Sequence, residues 1–234
     1  MSKKSVKPQK SQTPFYALLA VVAAVGGYAL YAVTRPTAPV VMAADPTAPP
    51  VEAAGILYGN PDAPITIIEY ADFGCGGCAQ FNVLHTPDIK SRIVDAGLAN
   101  FRFYDFPLGS FPNSMAAHLA AACANDQGKF WEMADRIFNG QSEWNTPAVT
   151  NPRRVLAKLA EEIGVAMPDW NACYDAQKHI GQIEANRNAG QRIGVRSTPT
   201  IQIGNSLYGS VTADNIKAIV DSMTAAGAGT PPTP

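Results

Sequence analysis

Two cysteines separated by two glycines, Cys75-Gly76-Gly77-Cys78, stand between a run of β-branched residues and a helical pattern, and that placement limits the fold more than any other feature of the chain. Upstream, ITIIEYA (Ile65 to Ala71) follows a turn signal at Asn60-Pro61-Asp62-Ala63-Pro64 and reads as a strand. Downstream, the spacing predicts a helix that starts near Cys75 and ends before Gly97. A second strand is expected over Asn100 to Phe106, with Phe101, Phe103 and Asp105 on one side and Arg102, Tyr104 and Phe106 on the other. The order is strand, helix, strand, with the cysteine pair at the first junction.

Position decides what such a pair can do. At a helix N-terminus the first backbone N–H groups lack intrahelical partners and the macrodipole is positive, so a thiolate on Cys75 is stabilised. Cysteines placed this way have pKa values of about 3.5–7.5, which makes them good leaving groups and competent nucleophiles near neutrality. Cys78 lies one turn further in and is expected to be buried, able to attack a mixed disulfide held on Cys75. Gly76 and Gly77 let the turn bend but supply no side chain to tune the thiolate. Two plainer readings compete, a structural disulfide and half of a zinc site. A four-cysteine zinc site needs a second close pair, whereas Cys123 and Cys173 are far apart in the chain, so no metal is assigned.

From Met115 to Arg192 the pattern turns helical, with Leu119 and Cys123, then Val155, Leu156, Leu159 and Ile163, at helical spacing. Asn139-Gly140, Pro147, Pro152 and Pro168 divide this stretch into several helices. TPTIQIG (Thr198 to Gly204) and SLYG then make a hairpin across Gly204-Asn205. A last helix is capped by Thr212, carries Asp214 in its first turn and sets Ile216, Ile219, Val220 and Met223 on one stripe. The expected domain, residues 56–226, is therefore a βαβ half, a helical insertion at about 112–192, and a ββα half. With 47% of its residues apolar the chain can bury a core, which excludes wholesale disorder.

The start is different in kind. Phe15 to Val33 holds no charged residue, follows Lys3, Lys4, Lys7 and Lys10, and precedes Arg35. A helix of that length rises about 28 Å, close to the hydrocarbon thickness of a bilayer. Lysines on the near side place the rest of the chain across the cytoplasmic membrane. The reading is a basic cytoplasmic start (1–14), a single-pass signal-anchor (15–33) and a Pro/Ala-rich linker (34–55) leading to a catalytic domain on the periplasmic or cell-wall side. A cleaved signal peptide, with Ala43 and Ala44 near the cut, is the competing reading, although its apolar core usually runs only about 7–15 residues. Residues 227–234 are expected to be a flexible tail. Without the four leading lysines the balance is 14 basic against 19 acidic residues, which argues against a nucleic-acid partner.

EYADFGCGGC (Glu69 to Cys78), QGKFWEM (Gln127 to Met133) and GVRSTPT (Gly194 to Thr200), in this order and spacing, resemble the DsbA-like family of thioredoxin-fold thiol-disulfide oxidoreductases, especially its membrane-tethered members. The resemblance covers nearly all of Ile56 to Ala226. It implies an α/β thioredoxin-like fold with a helical insertion domain, Cys75 as the attacking and Cys78 as the resolving cysteine, and Pro199 as a cis-proline facing the dithiol after Thr198, the two binding substrate. A plain strand start is the alternative for Thr198-Pro199. It also implies an acidic residue, Glu69, beneath the site, where desolvation would raise its pKa and let it take the proton of Cys78; the alternative is a solvent-facing Glu69 at the sheet edge. Reduced or unfolded exported proteins would be substrates, a DsbB-like or VKOR-like quinone-linked membrane protein would be the reoxidant, and no soluble cofactor is called for. Gly77 departs from the family, standing where strongly oxidising members often have a histidine. Disulfide formation in exported proteins is the leading reading. A reductase or isomerase of the same fold stands beside it, as does a non-catalytic module that captures metal or peptide.

Cys123 and Cys173 form an even leftover pair, which in an oxidising compartment suggests a disulfide clamping the insertion; a second redox pair and two buried free thiols are the alternatives. His85, His118 and His179 fall on expected helices with no carboxylate or histidine at ligand spacing, and read as surface or half-buried packing residues. Phe130, Trp131 and Phe138 are expected in the core of the insertion.

Overall fold

The computed structural model describes residues 13–34 and 51–227, which fall into two compact units divided at Pro39. Residues 1–12 of the basic start, 35–50 of the expected linker and 228–234 of the tail lie outside the described residues. In the first unit one helix, α1 (Thr13–Thr34), covers the uncharged stretch, and Val21, Val22 and Val25 on it are exposed. Among the described residues no helix is long and apolar enough to cross a membrane.

The second unit is built on a five-stranded sheet. Its strands are β1 (Ile56–Tyr58), β2 (Thr66–Ala71), β3 (Asn100–Asp105), β4 (Thr200–Ile203) and β5 (Ser206–Gly209), in the spatial order β1-β3-β2-β4-β5. β2 and β3 are parallel and the other pairs antiparallel, so the crossover between β2 and β3 must be helical. β2 is central, and its register sets Glu69 opposite Phe103 on one side and Ile201 on the other. β1 has only three residues, too few to leave a periodic pattern, and its pairing with β3 is tertiary rather than local.

The crossover corrects one sequence expectation. A single helix from Cys75 to Gly97 is replaced by α2 (Gly76–Leu84), α3 (Thr86–Ile89) and a wider π turn over Lys90–Val94. Pro87 explains the break at His85, because proline has no N–H to bond the Val83 carbonyl four residues back and its ring crowds that carbonyl, so the ladder of α2 cannot run on through it, whereas the first turn of α3 tolerates it. The insertion comprises α4 (Ser114–Asn125), α5 (Phe130–Asn139), α6 (Gln141–Trp144), α7 (Arg153–Glu162), α8 (Met167–Asp175) and α9 (Ile180–Arg192). α10 (Ala213–Ala225) closes the fold, its N-terminus held by a reciprocal Thr212–Asn215 capping box.

Two large apolar clusters among the described residues hold these layers, beside a small one at Tyr70, Phe106 and Val195. One gathers Ile67, Phe101, Ile89, Ile201, Ile216 and Val220, packing the sheet against α3 and α10. The other joins Phe73 and Phe103 to Phe130, Phe138, Trp144 and Trp170 of the insertion, with Phe73 and Phe103 stacked at 5.1 Å. Burying each such side chain contributes roughly 1.5–3 kcal/mol. Both indoles have partners, Trp144 donating to the Ile137 carbonyl at 2.9 Å and Trp170 to that of Ala120 at 3.1 Å. α9 meets the sheet at Gly190, where any Cβ would lie 2.8 Å from the Tyr70 ring. The last residues of the expected linker are tied to α9: Ala54 N–H donates to Asn186 Oδ1 at 3.0 Å, and Gln182 Nε2 donates to the Glu52 carbonyl at 2.9 Å.

Cys123 and Cys173 are bonded to each other, joining α4 to α8 across 50 residues. Closing a loop of that length removes denatured-state entropy worth about 4 kcal/mol on the chain-entropy account. The double change Cys123→Ala, Cys173→Ala is expected to lower the unfolding free energy by about that amount in urea, and an unchanged midpoint would contradict it.

Candidate active site

The strand-to-helix junction after β2 carries the site. Asp72, Phe73 and Gly74 turn the chain, and Cys75 takes the N-cap position of α2 with extended backbone (φ −82°, ψ 121°) and no side-chain cap. The turn is pinned from the insertion. Gln141 Nε2 donates to the carbonyls of Phe73 (2.6 Å) and Cys75 (3.0 Å), and Asn145 Nδ2 donates to that of Gly74 (2.8 Å). Neither residue is visible as functional in the sequence, since each acts through the main chain from more than sixty positions away.

The two sulfurs are free thiols in unlike settings. Cys75 is half-buried and Cys78 fully buried. The Cys78 thiol, followed by Thr198 and then the N–H groups of Cys78 and Gly77, lowers Cys75 to about 5 against the opposing effect of burial. Burial raises Cys78 well above the ordinary thiol value, with further upward pushes from the Cys75 sulfur and from Glu69. At neutral pH the pair therefore holds one thiolate and one thiol, the charge on the half-buried Cys75.

The Thr198–Pro199 peptide is cis, and the Cys75 Sγ lies 3.4 Å from the Thr198 carbonyl oxygen. Gly77 faces the same place: a Cβ there would stand 3.4 Å from Pro199 Cδ and 3.6 Å from Cys75 Sγ. Any side chain at position 77 would thus border the thiolate and the proline together.

Glu69 is buried on β2, and its Oε1 has no hydrogen-bond partner among the described residues. Burial raises its carboxyl to about 8, with Lys90 pulling down and Cys75 pushing up. It does not sit at the sheet edge facing solvent. Its charge is one of those that raise the Cys78 thiol.

A family model described as Thioredoxin matches residues 52–222. The chain belongs to this thioredoxin family. Among its relatives, disulfide bond formation protein D of Bacillus subtilis is 26% identical over 171 residues, spanning 70% of this chain and 75% of that protein. The crystal structure of Chlamydia trachomatis DsbA superposes with a TM-score of 0.67 at 25% identity, covering 77% of this chain and 97% of that one. Oxidised BdbD of Bacillus subtilis superposes with a TM-score of 0.62 at 24% identity, covering 74% and 96%. In this thioredoxin-family chain the fold is the DsbA-like one, an α/β sheet with a helical insertion.

Of the three histidines, His118 departs from the sequence reading, while His85 and His179 are half-buried as expected. His118 is no surface residue: it is fully buried, with Nδ1 2.6 Å from Asp105 Oδ1. His179 pairs with Asp126 at 3.0 Å, and His85 is partly buried against the Phe81 ring at 5.4 Å. Ligand spacing along one helix could not reveal these pairs, because the carboxylates come from other segments.

Proposed function

We propose that this thiol-disulfide oxidoreductase works as an oxidant, introducing disulfides into exported proteins through Cys75 and Cys78. The observation that carries the reading is the unequal pair of sulfurs, with the accessible one held as a thiolate near pH 5. A stabilised thiolate favours the reduced enzyme, and a dithiol that prefers to be reduced is an oxidant of others.

In the oxidised enzyme a substrate thiolate attacks Cys75 Sγ, forming a mixed disulfide and expelling Cys78 as thiolate, which Glu69 can protonate. A second substrate thiolate then attacks the substrate sulfur of the mixed disulfide and expels Cys75. The substrate gains one disulfide, and two electrons remain on the enzyme as Cys75 thiolate and Cys78 thiol. Thr198 and Pro199 flank the sulfur that is attacked and are the surface on which a substrate strand would lie.

The uncharged residues 15–33 behind four lysines support a membrane anchor with the catalytic domain outside the cytoplasm. Reoxidation would then fall to a DsbB-like or VKOR-like protein in the same membrane. Equilibrating the full chain in detergent with glutathione buffers tests the direction of electron flow. A potential well above thioredoxin's, which is about −270 mV, is expected; a value near thioredoxin's would turn the assignment to a reductase and leave the fold untouched.

A further inference from the structure

Behind the dithiol turn, ionisable side chains from three segments meet out of contact with solvent. His118 on α4 is fully buried, its ring closed in by Phe73 at 4.8 Å and Phe103 at 6.3 Å. Its Nδ1 is hydrogen-bonded to Asp105 of β3 at 2.6 Å. Its Nε2 lies 3.6 Å from Asp72 Oδ1, within ion-pair range but too far for a hydrogen bond, and has no hydrogen-bond partner among the described residues. Asp72 and Asp105 are the charged groups acting on the ring. Asp72 is itself fixed by the Ser114 hydroxyl, by the Gly74 N–H at 2.8 Å and by the Leu108 N–H at 2.6 Å. Asp105 accepts a further bond from Asn186 of α9 at 2.8 Å.

A neutral imidazole has one N–H and one lone pair. Between two carboxylates it would turn the lone pair toward one of them, leaving two buried anions and one donor, whereas an imidazolium gives each anion a positive partner. The charge balance of the cluster therefore calls for the protonated ring. Although burial pulls the other way, the two aspartates hold His118 at about 9. Burial likewise opposes ionisation of Asp72, but the charge of the nearby His118 ring and the bonds from the Ser114 hydroxyl and the Leu108 N–H keep the carboxyl below its usual range.

The main chain of Asp72 reaches both sulfurs. Its N–H donates to Cys78 Sγ at 3.5 Å, and its carbonyl accepts from the Cys75 N–H at 3.0 Å. We propose that His118, as a buried imidazolium clamped between Asp105 and Asp72, is a positioning residue of the dithiol, fixing the Asp72 turn that seats both cysteines. This deepens the thiol-disulfide reading of Cys75 and Cys78 and rests on it. His118 touches no reacting atom, and its proton stays in place through the exchange.

Two measurements on the full chain test the assignment. In the wild type, the His118 ring followed by NMR from pH 5 to 10 stays protonated beyond pH 8; titration near the ordinary histidine value of about 6.5, or below it, overturns the proposal. Secondly, His118→Asn removes the cation, and His118→Asn with Asp105→Asn replaces the ion pair by a neutral hydrogen-bonded pair. Both variants are expected to slow iodoacetamide alkylation of Cys75 at pH 6 by about 3- to 10-fold and to move its pH profile upward. A folded double variant with the wild-type profile would reduce His118 to a packing residue and overturn the proposal. Where neither variant folds, the wild-type ring titration decides. A wild-type Cys75 that ionises like free cysteine would instead sink the dithiol reading, while the protonation state of His118 would still be measured independently.

Discussion

Cys75→Ala is expected to oxidise a reduced dithiol peptide no faster than buffer does, a loss of about 1000-fold or more, whereas Cys78→Ala should stall as a mixed disulfide. The asymmetry follows from access and charge. Attack on a disulfide sulfur needs an open line along the S–S axis, which half-buried Cys75 offers and fully buried Cys78 does not. At pH 7 a thiol of pKa about 5 is almost wholly thiolate, while Cys78, raised above 9, is almost wholly protonated. The Cys78→Ala variant therefore keeps a reactive sulfur, takes up one equivalent from oxidised glutathione and has nothing to release it. Mass spectrometry of each variant after glutathione treatment separates the roles. An adduct on Cys75→Ala and none on Cys78→Ala would reverse the assignment.

What the sequence shows of this site is what lies close along the chain. Cys75 and Cys78 read as a dithiol because the strand before them and the helix after them each leave a local pattern, and Thr212 reads as a cap for the same reason. The interruption at His85 was equally local, since Pro87 stands in plain view, but three apolar residues of β1 carry no period that could announce a strand. The charged cluster under the turn lies beyond such reading altogether. Asp72, Asp105, His118 and Asn186 are each ordinary in their own segments, and only the parallel pairing of β2 with β3 and the packing of α4 and α9 bring them together. Gln141 and Asn145 escape notice likewise, because a side chain that holds a distant carbonyl has no sequence signature. Local periodicity finds elements and their junctions; contacts between elements need the fold.

Glu69 sets the largest expected dependence of stability on pH. Its folded-state carboxyl is raised from 4.5 to about 8, chiefly by burial. Between those values the unfolded chain has released the proton and the folded chain still holds it, so the unfolded state binds fewer protons and stability falls as pH rises. At about 1.36 kcal/mol per pH unit, the loss accumulates to about 5 kcal/mol by pH 8, an upper bound for a carboxyl whose surroundings can relax. Glu69→Gln removes the ionisation and keeps the shape. Denaturant unfolding of both reduced proteins at pH 4.5 and pH 8 isolates this contribution, because the opposing rise from Cys75, which gains stability as pH climbs from about 5, is common to both. The variant is expected to match the wild type at the acid end and exceed it by several kcal/mol at the alkaline end, while forming mixed disulfides more slowly for want of a proton donor to Cys78. Parallel curves across that range would mean that Glu69 is solvated in the folded protein, and would remove it as the proton donor to Cys78.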